Sequence, residues 1–196
     1  MQSLETRPLL VDTSRITLRR ITHEEFELLC QDNPELRLEL TADGELVTMS
    51  PAGYESSEKN GDLTADLVIW NRISKQGRVF DSSGGFTLPN GAVKSPDATW
   101  IEKSKLTDIP AGVKFPLVIP DFVIELRSQS DSLNKTQEKM EEYRTNGVRL
   151  GWLINPQKKQ VEIYRLGQEK EVLQSPTTLS GEDVLPGFVL ELSAIW

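Results

Sequence analysis

Two carboxylates interrupt stretches that otherwise read as apolar strands. Asp97 stands in "SPDATWIEKSK" (95–105), at the head of a short apolar alternation, and Glu125 stands inside "DFVIELRS" (121–128). Aspartate is depleted in strands, and a charge in a strand buried on both faces costs several kcal/mol unless it is paired or bound to a cation. Two such acids from neighbouring strands, with a backbone carbonyl and waters, make a hard-oxygen nest that suits Mg²⁺. Spacing alone leaves a second reading open, in which each acid lies on a solvated strand face or pairs with an arginine such as Arg127.

The elements that must hold these residues follow from pattern. Thr22 with Glu25 three positions on forms a capping box, opening a short helix through "HEEFELLCQ". "LRLEL", the turn "ADG" and "ELVTMS" make a β-hairpin, with Leu38 and Leu40 on one face and Arg37 and Glu39 on the other. Leu63, Leu67, Trp70 and Ile73 recur at helical spacing, predicting a long amphipathic helix between Glu55 and Ser74 that Gly61 loosens and Gly77 closes. Short strands punctuated by Gly and Pro follow, and 103–120 reads as a loop with a helical turn. "DFVIELRS", the helix "LNKTQEKMEEYRTNG" and "RLGWLINP" imply a parallel pair with a right-handed crossover inside a largely antiparallel sheet. "QVEIYR" adds a strand, and the apolar tail "VLPGFVLELSAIW" packs on the body. We expect one domain over 1–196, with a core of about 54–166, a helix and hairpin in 1–53 and a packing segment in 167–196.

Composition removes competing chemistry. A single histidine, His23, and a single cysteine, Cys30, exclude a His-based triad, an internal disulfide and zinc sites built from several His or Cys. Glycine-rich phosphate loops are absent, which lowers any nucleotide-cofactor reading. No apolar run approaches the roughly 18 residues of a membrane span. The stretch "MQSLETRPLLVDTSR" carries an acid and lacks a compact apolar segment, so a cytoplasmic location without a secretory signal is expected. The net charge of -8 argues against bulk electrostatic attraction to nucleic acid, although a carboxylate metal site is itself acidic and bases can gather on one face.

"SPDATWIE" followed by "PDFVIELRSQSDSLNKTQEKMEEYRTNGVRLGWLINPQKKQVEIYR" resembles the restriction-endonuclease family expanded in cyanobacteria, within the PD-(D/E)xK nuclease superfamily. "ELTADGELVTMSPAG" resembles its N-terminal hairpin and "LSGEDVLPGFVLEL" its closing segment, so the likeness covers nearly the whole chain. The resemblance implies an α/β (α+β) fold with a restriction-endonuclease-like core, in which a central mixed β-sheet is flanked by helices. It also implies Mg²⁺-dependent phosphodiester hydrolysis, with Mn²⁺ substituting. The implied partner is nucleic acid, double-stranded DNA first, and cutting both strands favours a homodimer.

Under that resemblance Asp97 and Glu125 match the two metal-binding acids. The pattern's lysine two residues after the glutamate is replaced by Arg127, which can hold a phosphate but is a poor general base. The next helix offers a substitute. Leu133, Thr136, Gln137, Met140 and Tyr143 share one stripe, Lys139 borders it, and Lys135 points further out. Lys139 is therefore the candidate catalytic lysine, against a surface lysine paired with Glu142 or Asp131. A further metal-shell acid is sought at Glu55, early in the long helix, where a helix-dipole role is the alternative. Glu39 is the other candidate, with a plain solvated strand position preferred. Relatives often carry histidine near Ser56, and this chain does not. A rival reading keeps the nuclease fold as a non-catalytic binding module, because of Arg127 and the net charge of -8.

Overall fold

A computed structural model of the chain describes residues 20–196. The reading of the N-terminal stretch as free of a secretory signal falls outside the described residues. Helix α1 (His23–Asp32) opens with the expected capping box, Thr22 accepting from the Glu25 N–H while Glu25 accepts from the Thr22 N–H. Strands β1 (Arg37–Leu40) and β2 (Leu46–Met49) form the antiparallel hairpin. They join the short β4 (Phe86–Thr87) and β5 (Val93–Lys94) in a four-stranded sheet of order β2-β1-β5-β4.

The central sheet contains β3 (Gly77–Asp81), β6 (Ala98–Glu102), β7 (Phe122–Leu126), β8 (Leu150–Asn155), β9 (Gln160–Arg165) and β10 (Glu171–Gln174). Its order is β10-β9-β8-β7-β6-β3, and among the described residues β7 with β8 is its one parallel pair. Helix α3 (Leu133–Thr145) bridges that pair, since parallel neighbours need a crossover.

Strand alternation sorts β7 into two faces. Phe122, Ile124 and Leu126 meet Leu63 and Leu67 of α2 (Tyr54–Ser74), Trp100, Trp152 and the C-terminal Leu185, Phe188 and Leu192. Val123 turns the other way, towards Met140 and Tyr143 of α3 and Leu153 of β8. The tail is fixed by aromatic packing: Trp152 stacks on Phe188 at 6.0 Å, and the Trp70 indole N–H donates to the Pro186 carbonyl. The last short pair, β11 (Thr178–Ser180) and β12 (Val189–Glu191), closes the chain.

Two local expectations are corrected. The stripe of α2 ends at Trp70: in the last turn Asn71 bonds Gly77 and Trp100, and Ile73 is left 80% exposed. The helix closes at Lys75 in left-handed backbone (φ 55°), before Gly77. Gly77 instead begins β3, where a Cβ would run into the Ile101 carbonyl and the Trp100 indole.

Candidate active site

Asp97 lies one residue before β6. The register Ala98↔Ile124, continued by one step, sets it across from Glu125 on β7. Both oxygens of Asp97 are held. The Leu126 N–H donates to Oδ2 at 2.7 Å, and Asn60 Nδ2, from α2, donates to Oδ1 at 3.1 Å. Glu125 shares the face of Val123 and therefore points at α3, where it is 7% exposed. Its Oε1 accepts from Lys139 Nζ at 2.8 Å and from the Tyr143 hydroxyl at 2.9 Å. These donors are four residues apart on one helix, so they present side by side to the strand. Oε2 of Glu125 accepts no hydrogen bond among the described residues.

Glu39 of β1 completes the group. Lys139 Nζ sits 2.9 Å from its Oε1, to which the Ser95 N–H also donates at 2.9 Å. Lys94 lies behind, 3.9 Å from Glu39 and 3.1 Å from Glu142, and Asn90 donates to that second glutamate. Asp97, Glu125 and Lys139 all line a cleft of about 870 Å³ between the hairpin, the first half of α2 and the end of β3.

Three carboxylates thus face one half-buried ammonium. Burial pushes the Glu125 carboxyl up to about 7; Lys139 opposes this, and the charges of Asp97 and Glu39 add to it. Burial likewise raises Asp97, against the stabilising Leu126 N–H, Lys139 and Asn60. Burial alone would lower Lys139, but the pull of Glu125 and Glu39 outweighs it and holds the ammonium well above the usual lysine range. Both carboxylates thus favour the charged form of Lys139, which suits charge stabilisation better than proton uptake.

Asp97, Glu125 and Lys139 line one cleft, and Lys135 is exposed. Three expectations change. Glu39 is only 4% exposed, because its strand pairs with β5 as well as β2 and turns the carboxylate onto Lys139. Glu55 is exposed in the first turn of α2, accepts from the Tyr54 hydroxyl and does not line the cleft. Arg127 holds the place of the pattern's lysine in the chain, but Asn155 and Gln157 at the end of β8 and the Asp131 carbonyl in the β7–α3 loop accept from its guanidinium, and it does not line the cleft. Tyr143, read earlier only as a stripe residue, and Asn60 are additions. Asn60 had a signal, since it stands on the Leu63/Leu67 stripe of α2 as a polar interruption.

Among the described residues, no group of three or more His, Cys, Asp or Glu is arranged to hold a metal ion. The donor chemistry still suits a small hard cation: Asp97 and Glu125 are adjacent across β6 and β7, and Oε2 of the second acid has no donor among the described residues.

The model of the Uma2 family, described as "putative restriction endonuclease", matches residues 23–193. The chain belongs to this family. Its fold is similar to that of a crystal structure described as a "putative nuclease belonging to DUF820" from Anabaena variabilis ATCC 29413, with 22% identity and a TM-score of 0.77. That match covers 89% of this chain and 97% of the other, and at this identity it speaks for the fold. No curated protein matches. No helix among the described residues is long and apolar enough to cross a membrane.

Proposed function

We propose that the protein is a divalent-cation-dependent endonuclease that hydrolyses phosphodiester bonds of DNA. The observation that carries this reading is the convergence of Asp97, Glu125 and Lys139 in one cleft of a chain from a restriction-endonuclease family. Asp97 and Glu125 would hold Mg²⁺, with Mn²⁺ substituting. Such a cation supplies Lewis-acid polarisation of the scissile phosphate and a water of lowered pKa. The chain's residues do the rest. The Leu126 N–H and Asn60 fix the Asp97 carboxylate, so no reorganisation is needed there when substrate arrives. Tyr143 and Lys139 fix one oxygen of Glu125 and leave the other to the cleft. Lys139 would set its positive charge beside the reacting phosphate, where negative charge develops. Glu55 and Arg127 have no part in this arrangement. Duplex cleavage would pair two copies about a two-fold axis.

The test is nicking of supercoiled plasmid with Mg²⁺ or Mn²⁺. Wild type should nick, while Asp97→Asn and Glu125→Gln should not and should keep the fold by circular dichroism. Equal nicking by all three overturns the reading. The alternative, a nuclease-fold binding module without hydrolysis, is favoured by one feature: the Lys139 ammonium is already shared between Glu125 and Glu39. It predicts nucleic-acid binding without metal-dependent product.

A further inference from the structure

Asn60 is bonded on one side only. Its Nδ2 donates to Asp97 Oδ1 at 3.1 Å, and that bond sets which way the amide points. Its Oδ1 is consequently fixed as well, and it is buried without a hydrogen-bond partner among the described residues. A buried amide oxygen left without a donor costs about 1–3 kcal/mol. Such a cost is tolerated where a ligand supplies the missing positive partner. Asn60 lines the cleft beside Asp97, one residue before Gly61, whose missing side chain leaves open space at this part of the helix. An orphaned oxygen thus sits next to one of the two carboxylates proposed above. An amide oxygen is also a ligand type that hard divalent cations accept.

We propose that Asn60 is a ligand residue of the cation site, its Oδ1 supplying a third protein oxygen beside Asp97 and Glu125. This rests on the cation-site reading of the preceding subsection. It gives α2 the part that Glu55 was expected to play, with a neutral oxygen in place of a charged one. The neutral ligand matters because three carboxylates already crowd one ammonium; a fourth charge would repel them in the metal-free protein.

Titration calorimetry with Mn²⁺ alone tests this in wild type, Asn60→Ala, Asn60→Asp and Glu125→Gln, each checked for folding by thermal melting. If Oδ1 is a ligand, Asn60→Ala weakens Mn²⁺ binding about 10-fold or more, while Asn60→Asp restores an oxygen and binds within about 2-fold of wild type or tighter. If Asn60 only steadies Asp97, Asn60→Asp loses that donor, repels the aspartate and binds no better than Asn60→Ala, which overturns the proposal. Wild-type affinity in Asn60→Ala also overturns it. Wild type and Glu125→Gln binding Mn²⁺ equally overturns the underlying cation-site reading, and this inference with it. Loss in Glu125→Gln with full affinity in Asn60→Ala overturns the inference alone.

Discussion

Glu125 and Glu162 lie in one row of the central sheet, each paired with Leu153 from opposite sides, and both face α3. They are almost equally buried, at 7% and 4% exposure. Their surroundings differ. Glu162 accepts from Gln137 on one oxygen and from the Tyr164 hydroxyl and Lys170 on the other. Burial pushes its carboxyl up, but these three donors outweigh burial and hold it below the usual range. Glu125 receives donors on one oxygen only, has two further carboxylates nearby, and is pushed up to about 7. The same residue type at the same depth is thus a closed structural ion pair in one strand and an unfinished site in another. What separates them is the second oxygen, satisfied by protein in Glu162 and turned to the cleft in Glu125.

The comparison breaks most sharply on activity. Glu125→Gln should lower metal-dependent plasmid nicking by at least about 10³-fold, on the scale of removing one charge-stabilising group, while Glu162→Gln should stay within a few-fold of wild type. Comparable loss in both would mean that the two sites are not functionally distinct.

Next in size is the effect of the paired cations. Lys139→Met should reduce nicking by about 10²-fold or more, yet tighten Mn²⁺ binding, because the ammonium that competes for Glu125 is gone. Lys170→Met should change neither, and calorimetry beside the nicking assay reads both.

Proton linkage should run in opposite directions. The Glu125 carboxyl is raised in the folded state, so the folded protein binds the extra proton. Its contribution is present below about 4.5 and is lost as pH rises towards about 7 in metal-free protein, on the order of 3 kcal/mol at most. The Glu162 carboxyl is depressed, so its contribution is present above about 4.5 and is lost as pH falls below it. Urea denaturation across pH, with wild type subtracted from Glu125→Gln and from Glu162→Gln, should give difference curves of opposite slope. The smallest effect expected is on stability at neutral pH, where Glu162→Gln should cost about 1–3 kcal/mol through its weakened donors.

Some of this was legible in the sequence because it depends on local pattern. The Pro-Asp before an apolar alternation, the acid within an apolar strand and the helical stripe that carries Lys139 each arise within one element. Adjacent strands then bring Asp97 and Glu125 together. Glu39 was not legible, since its burial follows from β1 pairing with β5 more than fifty residues away, as in Leu40↔Val93. The placement of Arg127 was not legible, because β7 ends at Leu126. Its guanidinium is then drawn to Asn155 and Gln157 at the β8–β9 turn and to the Asp131 carbonyl in the β7–α3 loop, away from the cleft. Asn60 was visible as a polar break in an apolar stripe, but only the placement of α2 over Asp97 gives that break a meaning.

Anomalous scattering from crystals soaked in Mn²⁺ locates the cation against Asp97, Glu125 and Glu162. The account predicts one strong peak in the cleft, with oxygens of both Asp97 and Glu125 about 2.1 Å from it, and none at Glu162. A cleft without a peak at saturating Mn²⁺, or a peak that touches neither Asp97 nor Glu125, would contradict it.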